Sequence, residues 1–231
     1  MKIRGLMKMT LLDFPGQVAC TVFTSGCNFR CPFCHNASLV LPEKMTGEEI
    51  GQDEFFEFLK KRKGKLDGVC ISGGEPLIQS DIADFIRRVK ELGFKVKLDT
   101  NGAMPEVLRA LLNEGLLDYV SMDIKSDPEG YSRACGIDHP PIEQVRESVR
   151  ILLACGVPFE FRTTLVDEFH DEETMRSVAC WIKEAPRYYL QSFVDSGEVI
   201  KKGLHSCSAQ KMSDILRAVA EFVPTAKIRG I

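Results

Sequence analysis

Nowhere in the chain do apolar residues run on for the roughly 20 positions a membrane-crossing helix needs, so no spanning segment is expected. The opening MKIRGLMKMTLLDFPG lacks an unbroken apolar core and a small-residue cleavage site, so it does not read as a secretory signal. The expected location is therefore the cytoplasm. Positive charge is not in excess either: the net charge is −3 and the pI about 5.9, which argues against a nucleic-acid binder working by bulk electrostatics. There is no repeat at solenoid period and no low-complexity tract. A disulfide framework is also missing. The nine cysteines are odd in number, and Cys20, Cys70, Cys135, Cys155, Cys180 and Cys207 stand singly in a chain without an export signal. Such scattered thiols read as small core residues.

What is present is an ordinary globular composition, 44% apolar and 27% charged over 231 residues, enough for one full-size core. We expect one domain over residues 1–231. Strand-like and helix-like segments alternate after the turn signal Asp13-Phe14-Pro15-Gly16. The strands are expected at 18–23, 68–73, 95–100, 119–125, 159–165 and 188–193. The helices are expected near 47–61, 80–92, 105–114, 142–155, 172–183 and 208–222, the first opened by a capping box of Thr46 and Glu49. The longest loops are 29–46 and 126–141. Six such units imply a parallel sheet with helices outside it, as an open doubly wound sheet or an incomplete barrel. Polar residues gather at the ends of five successive strands, which favours a barrel-like arc, because an open sheet concentrates its ligand at one switch point. The expected fold class is therefore α/β, a partial (β/α)6 barrel with parallel strands.

Residues 26–36 read GCNFRCPFCHN, placing Cys27, Cys31 and Cys34 within eight positions. Structural zinc takes four ligands, and here it would need a distant cysteine or His35 as the fourth. Ferredoxin-type clusters take four cysteines at other spacings. A 4Fe–4S cube held by only three thiolates leaves one iron open to a substrate.

The spacing Cys27-x3-Cys31-x2-Cys34, with Phe33 before the third cysteine, resembles the signature of the radical S-adenosylmethionine superfamily. Ser72-Gly73-Gly74-Glu75-Pro76 resembles that superfamily's GGEP motif, whose backbone contacts the amino group of the bound methionine moiety. Glycines there allow close backbone approach, and a strand-end carbonyl can accept from an ammonium. Within the superfamily, TLLDFPG (10–16), GCNFRCPFCHN (26–36), ISGGEPL (71–77), KLDTNG…YVSMDIK (97–125) and FEFRTTL (159–165) resemble the glycyl-radical-enzyme activases. They look most like the activating proteins of anaerobic ribonucleoside-triphosphate reductase and, less closely, like pyruvate formate-lyase activating enzyme. The likeness spans about residues 5–170.

The resemblance implies a single 4Fe–4S cluster on Cys27, Cys31 and Cys34, in a loop spanning 24–46, with no cysteine in 37–69 to hold another. It implies S-adenosylmethionine contacts at Phe33, Gly73, Gly74, Glu75, Asp99, Thr100, Asp123, Lys125 and Arg162. Asp99, Thr100, Asp123 and the Ser121 backbone resemble a monovalent-cation site. Physically, two carboxylates at neighbouring strand ends repel unless a cation, a proton or a ligand lies between them. A charge inside an apolar strand, such as Arg162, needs a partner. Asn36 and His35 follow the cluster loop as in the activases, and Asn36 is expected to hold that loop. Where several activases carry a histidine at the last strand, this chain has Gln191 and Phe193. His139, His170 and His205 read as surface residues, and the run Lys60–Lys65 as a solvated helix end.

The implied reaction is reductive cleavage of S-adenosylmethionine and removal of a glycine hydrogen in a partner glycyl-radical enzyme. A flavodoxin or ferredoxin would donate the electron, in an oxygen-poor setting. No nucleic-acid or membrane partner is expected. The alternatives are a radical enzyme acting on a small molecule, such as a carboxy-deazaguanine synthase, and a non-catalytic metal-binding interaction protein.

Overall fold

The computed structural model describes residues 1–44, 48–195 and 197–230. Eight strands lie side by side in chain order without closing: β1 (Ile3–Thr10), β2 (Ala19–Thr24), β3 (Gly68–Gly73), β4 (Lys95–Thr100), β5 (Tyr119–Asp123), β6 (Phe159–Leu165), β7 (Tyr188–Ser192) and β8 (Lys227–Arg229). β2 to β8 are parallel and β1 runs antiparallel beside β2. This is a partial parallel β/α barrel. Its six strand–helix units are those expected, and the edge strands β1 and β8 are additions.

The helices between strands are α2 (Gln52–Lys61), α3 (Ile82–Glu91), α4 (Pro105–Asn113), α6 (Ile142–Ala154), α7 (Glu172–Trp181) and α8 (Ala209–Ala220). Two short helices, α1 (Ala37–Val40) and α5 (Tyr131–Cys135), fall inside the stretches expected as the longest loops. Each long helix covers the sheet with one face. α3 buries Ile82, Phe85, Ile86 and Val89, the spacing of one helical face, and the Phe85 ring stacks on Phe55 of α2 at 5.3 Å. α7 and α8 begin with side-chain caps: Asp171 accepts from the Thr174 N–H and Ser208 from the Lys211 N–H.

The start of α2 differs from expectation. Thr46 and Gly47 lie outside the described residues, and the helix begins at Gln52 after an extended Gly51. The reason is visible at Ile50, whose N–H donates to the Ile3 carbonyl at 2.9 Å, tying this part of the chain to β1.

The expected turn at Asp13–Gly16 lies at the amino-terminal ends of the parallel strands. Thr10 Oγ1 accepts from the N–H groups of Leu12 and Asp13, and the Phe14 ring packs on Tyr119 at 6.2 Å. A cavity of about 500 Å³ opens beside it, with its charged groups engaged across the strand ends. Lys95 donates to Gln17, Lys90 and the Val96 N–H hold Asp118, and Arg229 reaches Glu160 while covering the Tyr189 ring. This end of the barrel is built for closure. Among the described residues no helix is long and apolar enough to cross a membrane.

Candidate active site

At the carboxyl ends of the strands a second cavity, of about 300 Å³, gathers residues from six of them or the loops that follow. Cys27, Cys31 and Cys34 enter after β2, Ser72 to Glu75 at the end of β3, Asp99 to Asn101 at β4, Asp123 and Lys125 at β5, Arg162 and Thr164 in β6, and Gln191 in β7. The in-register pairings of Asp123 with Arg162 and of Thr164 with Gln191 bring these side chains level.

The cysteine loop and the glycine turn share a backbone. The Gly74 N–H donates to the Thr24 carbonyl at 2.9 Å and the Glu75 N–H to the Gly26 carbonyl at 2.8 Å. A side chain on Gly74 would collide with the Gly26 carbonyl oxygen, and Gly73 holds a φ of +117° against Thr24. Both positions therefore require glycine. Asn36 donates to the Gly73 carbonyl at 3.2 Å, joining the loop to the turn as expected. Arg30 folds back to donate to the carbonyls of Cys27 (2.6 Å) and Phe29 (2.8 Å).

Glu75 is buried and turns inward, away from the role of a free surface acid. Thr100 Oγ1 and the Leu77 N–H donate to its Oε1, at 2.8 and 3.1 Å, and the Asn101 N–H donates to its Oε2 at 2.7 Å. Burial outweighs these donors and pushes its carboxyl up to about 7. Asn101 also donates to Asn28 at 2.8 Å, linking the end of β4 to the cysteine loop.

Across the cavity floor runs an alternating row of charges: Lys97, Asp99, Arg162, Asp123, Lys125. Lys97 pairs with Asp99, Arg162 Nη1 lies 3.6 Å from Asp99, Arg162 Nε donates to Asp123 at 2.8 Å, and Lys125 reaches Asp123 at 3.1 Å. Burial alone would raise the Asp123 carboxyl, yet Arg162 and Lys125 hold it down at about 2. Asp99 is likewise held low against its burial by Arg162 and Lys97. Lys125, resisted by burial and favoured by Asp123, is held above the usual lysine range. The cation expected between Asp99 and Asp123 thus has a substitute in the protein: the Arg162 guanidinium bridges them.

Phe33 lines the cavity but packs edge-on against Phe169 (5.6 Å) and His170 (6.2 Å). Of the two last-strand residues, Gln191 faces the cavity, while Phe193 is buried against the His35 ring at 5.4 Å. His170 departs from its surface expectation. It is 2% exposed, accepts from the Val166 N–H at 3.0 Å through Nδ1, and lies 2.9 Å from the Lys125 carbonyl through Nε2. It therefore fastens the Lys125 backbone to the segment after β6. His205 is exposed and pairs with Glu168, and His139 is exposed. Lys97 was not singled out from sequence, although it obeys the argument applied to Arg162: a cation between Val96 and Leu98 inside an apolar strand needs a partner.

The three thiols are pushed up by burial, Cys27 to about 11 and Cys31 to about 12, so a metal binding them must displace protons. Among the described residues no three His, Cys, Asp or Glu side chains converge as ligands of one ion. The three cysteines nonetheless line one cavity. A cubane takes one thiolate per iron, so it asks for sulfurs spread around a space rather than meeting at a point. The donor set fits such a cluster better than it fits zinc.

A family model described as the Radical SAM superfamily matches residues 21–179, and the chain belongs to that superfamily. Among its relatives is a Methanocaldococcus jannaschii protein provisionally named a glycyl-radical enzyme activating enzyme, 36% identical over 99% of this chain and 96% of the relative. The pyruvate formate-lyase-activating enzyme of Clostridium pasteurianum is 30% identical over 79% of this chain and 76% of its own length. SuiB of Streptococcus suis shares the fold, with a TM-score of 0.67 at 15% identity over 91% of this chain; the chain spans about half the length of SuiB.

Proposed function

We propose that this chain is a glycyl-radical-enzyme activase whose substrate is an anaerobic ribonucleoside-triphosphate reductase. The observation that supports it most is the single cavity that joins three thiols, the Gly73-Gly74-Glu75 turn and the five-residue charge row. The near full-length likeness to a relative provisionally named an activating enzyme supports the protein substrate. The stretches TLLDFPG, DTNG and MDIK support the reductase over other partners. We read residues 1–231 as one domain, cytoplasmic, with no nucleic-acid or membrane partner.

In this reading Cys27, Cys31 and Cys34 hold one 4Fe–4S cluster, and S-adenosylmethionine shares the cavity with it. Reduced by a flavodoxin or ferredoxin, this pair supplies a 5′-deoxyadenosyl radical that takes a hydrogen atom from a glycine Cα of the partner, giving 5′-deoxyadenosine and a glycyl radical. The protein's own residues bind and orient. Carbonyls of the Gly73-Gly74 turn accept from the ligand's ammonium. The charge row carries three cations and two anions, so it presents one net positive charge to the ligand's carboxylate, at Lys125 and Arg162. Asp99, Thr100 and Asp123 fix that row and the turn rather than holding a separate metal ion. Phe33, locked by Phe169 and His170, presents its backbone to the adenine edge, and Gln191 supplies a polar contact from the opposite wall. Glu75 braces the turn from beneath.

The test is electron paramagnetic resonance of the anaerobically reconstituted, reduced protein, before and after S-adenosylmethionine, and then with the reductase. A cluster signal that shifts on addition of S-adenosylmethionine, followed by a glycyl-radical doublet on the reductase, is the expected result. A doublet on pyruvate formate-lyase alone would move the substrate assignment; a signal indifferent to S-adenosylmethionine would remove the reading altogether.

A further inference from the structure

Behind the cysteine loop, on the side away from the cavity, sits α5. It is fastened there by the Arg30 N–H, which donates to the Cys135 carbonyl at 2.8 Å. Gly136, at a φ of +68°, closes the helix where any side chain would strike the Arg30 carbonyl. The Tyr131 ring of α5 packs edge-on against Phe29 of the loop at 6.3 Å and against Trp181 at 6.3 Å.

Tyr131 is fully buried, yet its hydroxyl has no hydrogen-bond partner among the described residues. The other buried tyrosine hydroxyls behave differently: Tyr119 reaches Glu160 and Tyr188 reaches Thr163. A buried hydroxyl without a partner carries its full desolvation cost, and such an exception points to a group that the protein alone does not supply. The groups whose charge the hydroxyl feels are Lys125, Cys31 and Cys135, and the Lys125 backbone N–H faces its oxygen outside hydrogen-bonding geometry. Lysine cannot accept a proton from it. Cys135 is turned toward the Ser132 carbonyl at 3.7 Å. Cys31 is left, and no hydrogen bond reaches its sulfur among the described residues, whereas Cys27 Sγ already accepts from the Phe29 N–H at 3.3 Å. As a thiol Cys31 is a weak acceptor; as a metal-bound thiolate it is a strong one.

We propose that the Tyr131 hydroxyl donates a hydrogen bond to the Cys31 sulfur when that sulfur is an iron-bound thiolate, and thereby raises the reduction potential of the cluster. The inference rests on the reading that these cysteines hold a cluster. Its physical basis is that reduction adds negative charge to iron and sulfur, and a donor aimed at a ligand sulfur favours the more negative state. The proton has nowhere else to go, so the hydroxyl is unpaired only in the metal-free chain.

The experiment compares wild type with Tyr131→Phe, each loaded with iron and sulfide without oxygen. Potentials are read by titration followed by electron paramagnetic resonance, and stability is read with and without the cluster. The expected result is equal iron content, a lower potential in the variant, and loss of one exchangeable-proton coupling in pulsed spectra recorded in H2O and D2O. The variant should also be no less stable than wild type without the cluster and less stable with it, a reversal that a purely structural tyrosine would not show. Equal potentials at equal iron content, or an unchanged set of exchangeable couplings, would overturn the proposal. Should Tyr131→Phe fail to load, 3-fluorotyrosine at position 131, a stronger donor of nearly the same shape, is expected to raise the potential, and no shift there overturns it equally. A wild-type chain that takes up no cluster fails at an earlier step, removing the reading on which the inference stands.

Discussion

Arg162 Nε donates to Asp123 Oδ1 at 2.8 Å from the neighbouring strand, and the same guanidinium lies 3.6 Å from Asp99. One cation therefore separates two carboxylates that would otherwise face each other at the strand ends.

Arg162→Ala leaves those two carboxylates without the charge between them and is expected to cost about 3–5 kcal/mol, the usual penalty for breaking a buried pair. Denaturant unfolding measures it. Adding Asp123→Asn should recover part of the loss, because the uncompensated charge is then removed. Two losses that simply add would show that the pair does not act as one.

Glu75 makes a pH prediction whose sign is set by its raised carboxyl. The folded state holds its proton up to about 7, against an ordinary value of 4.5, so between these the folded chain binds more protons than the unfolded one. This contribution is therefore present at low pH and is lost as pH rises through that window, by at most about 3 kcal/mol. Glu75→Gln should flatten the stability profile of the metal-free protein between pH 5 and 7 relative to wild type. Parallel profiles would mean that Glu75 is ionised throughout.

Gly74→Ala forces a methyl group into the Gly26 carbonyl and is expected to destabilise by about 3 kcal/mol and to abolish S-adenosylmethionine binding. Gly16→Ala is the control: it has a φ of +72° and no atom near the added carbon, so only the left-handed backbone strain of about 1 kcal/mol applies. Thermal melts and equilibrium dialysis distinguish the two.

Gln191→Ala removes one neutral hydrogen-bonding group from the cavity wall and should weaken S-adenosylmethionine binding by up to about tenfold without changing stability. Phe193→Leu should do the reverse, because that ring packs on His35. Weakened binding confined to the Phe193 variant would exchange the two roles.

The strands, their order and the clustering of polar residues at strand ends were legible because buried parallel strands read as short apolar runs, and residues such as Arg162 interrupt them conspicuously. β1 was not, since half its length is exposed and Met7, Lys8 and Met9 carry no alternation. α5 was hidden in a stretch with Gly130, Gly136 and two prolines, where five helical residues leave no periodic trace. His170 had no local signal either, standing among acidic neighbours; its burial comes from Val166 and Lys125, partners that only the closed sheet brings near. The charge row was half legible: Asp99, Asp123, Lys125 and Arg162 were singled out, but that an arginine would stand in for a metal ion depends on cross-strand register, which composition does not reveal.

The backbone bonds from Gly74 and Glu75 to Thr24 and Gly26 also impose an order of assembly. The turn that would hold the methionine end hangs from the loop that would hold the iron, so the first cannot be set before the second. An apoprotein would then gain its affinity for S-adenosylmethionine only on receiving its cluster, and oxygen damage would take both ligands in one event, a coupling that dialysis of the two forms would read directly.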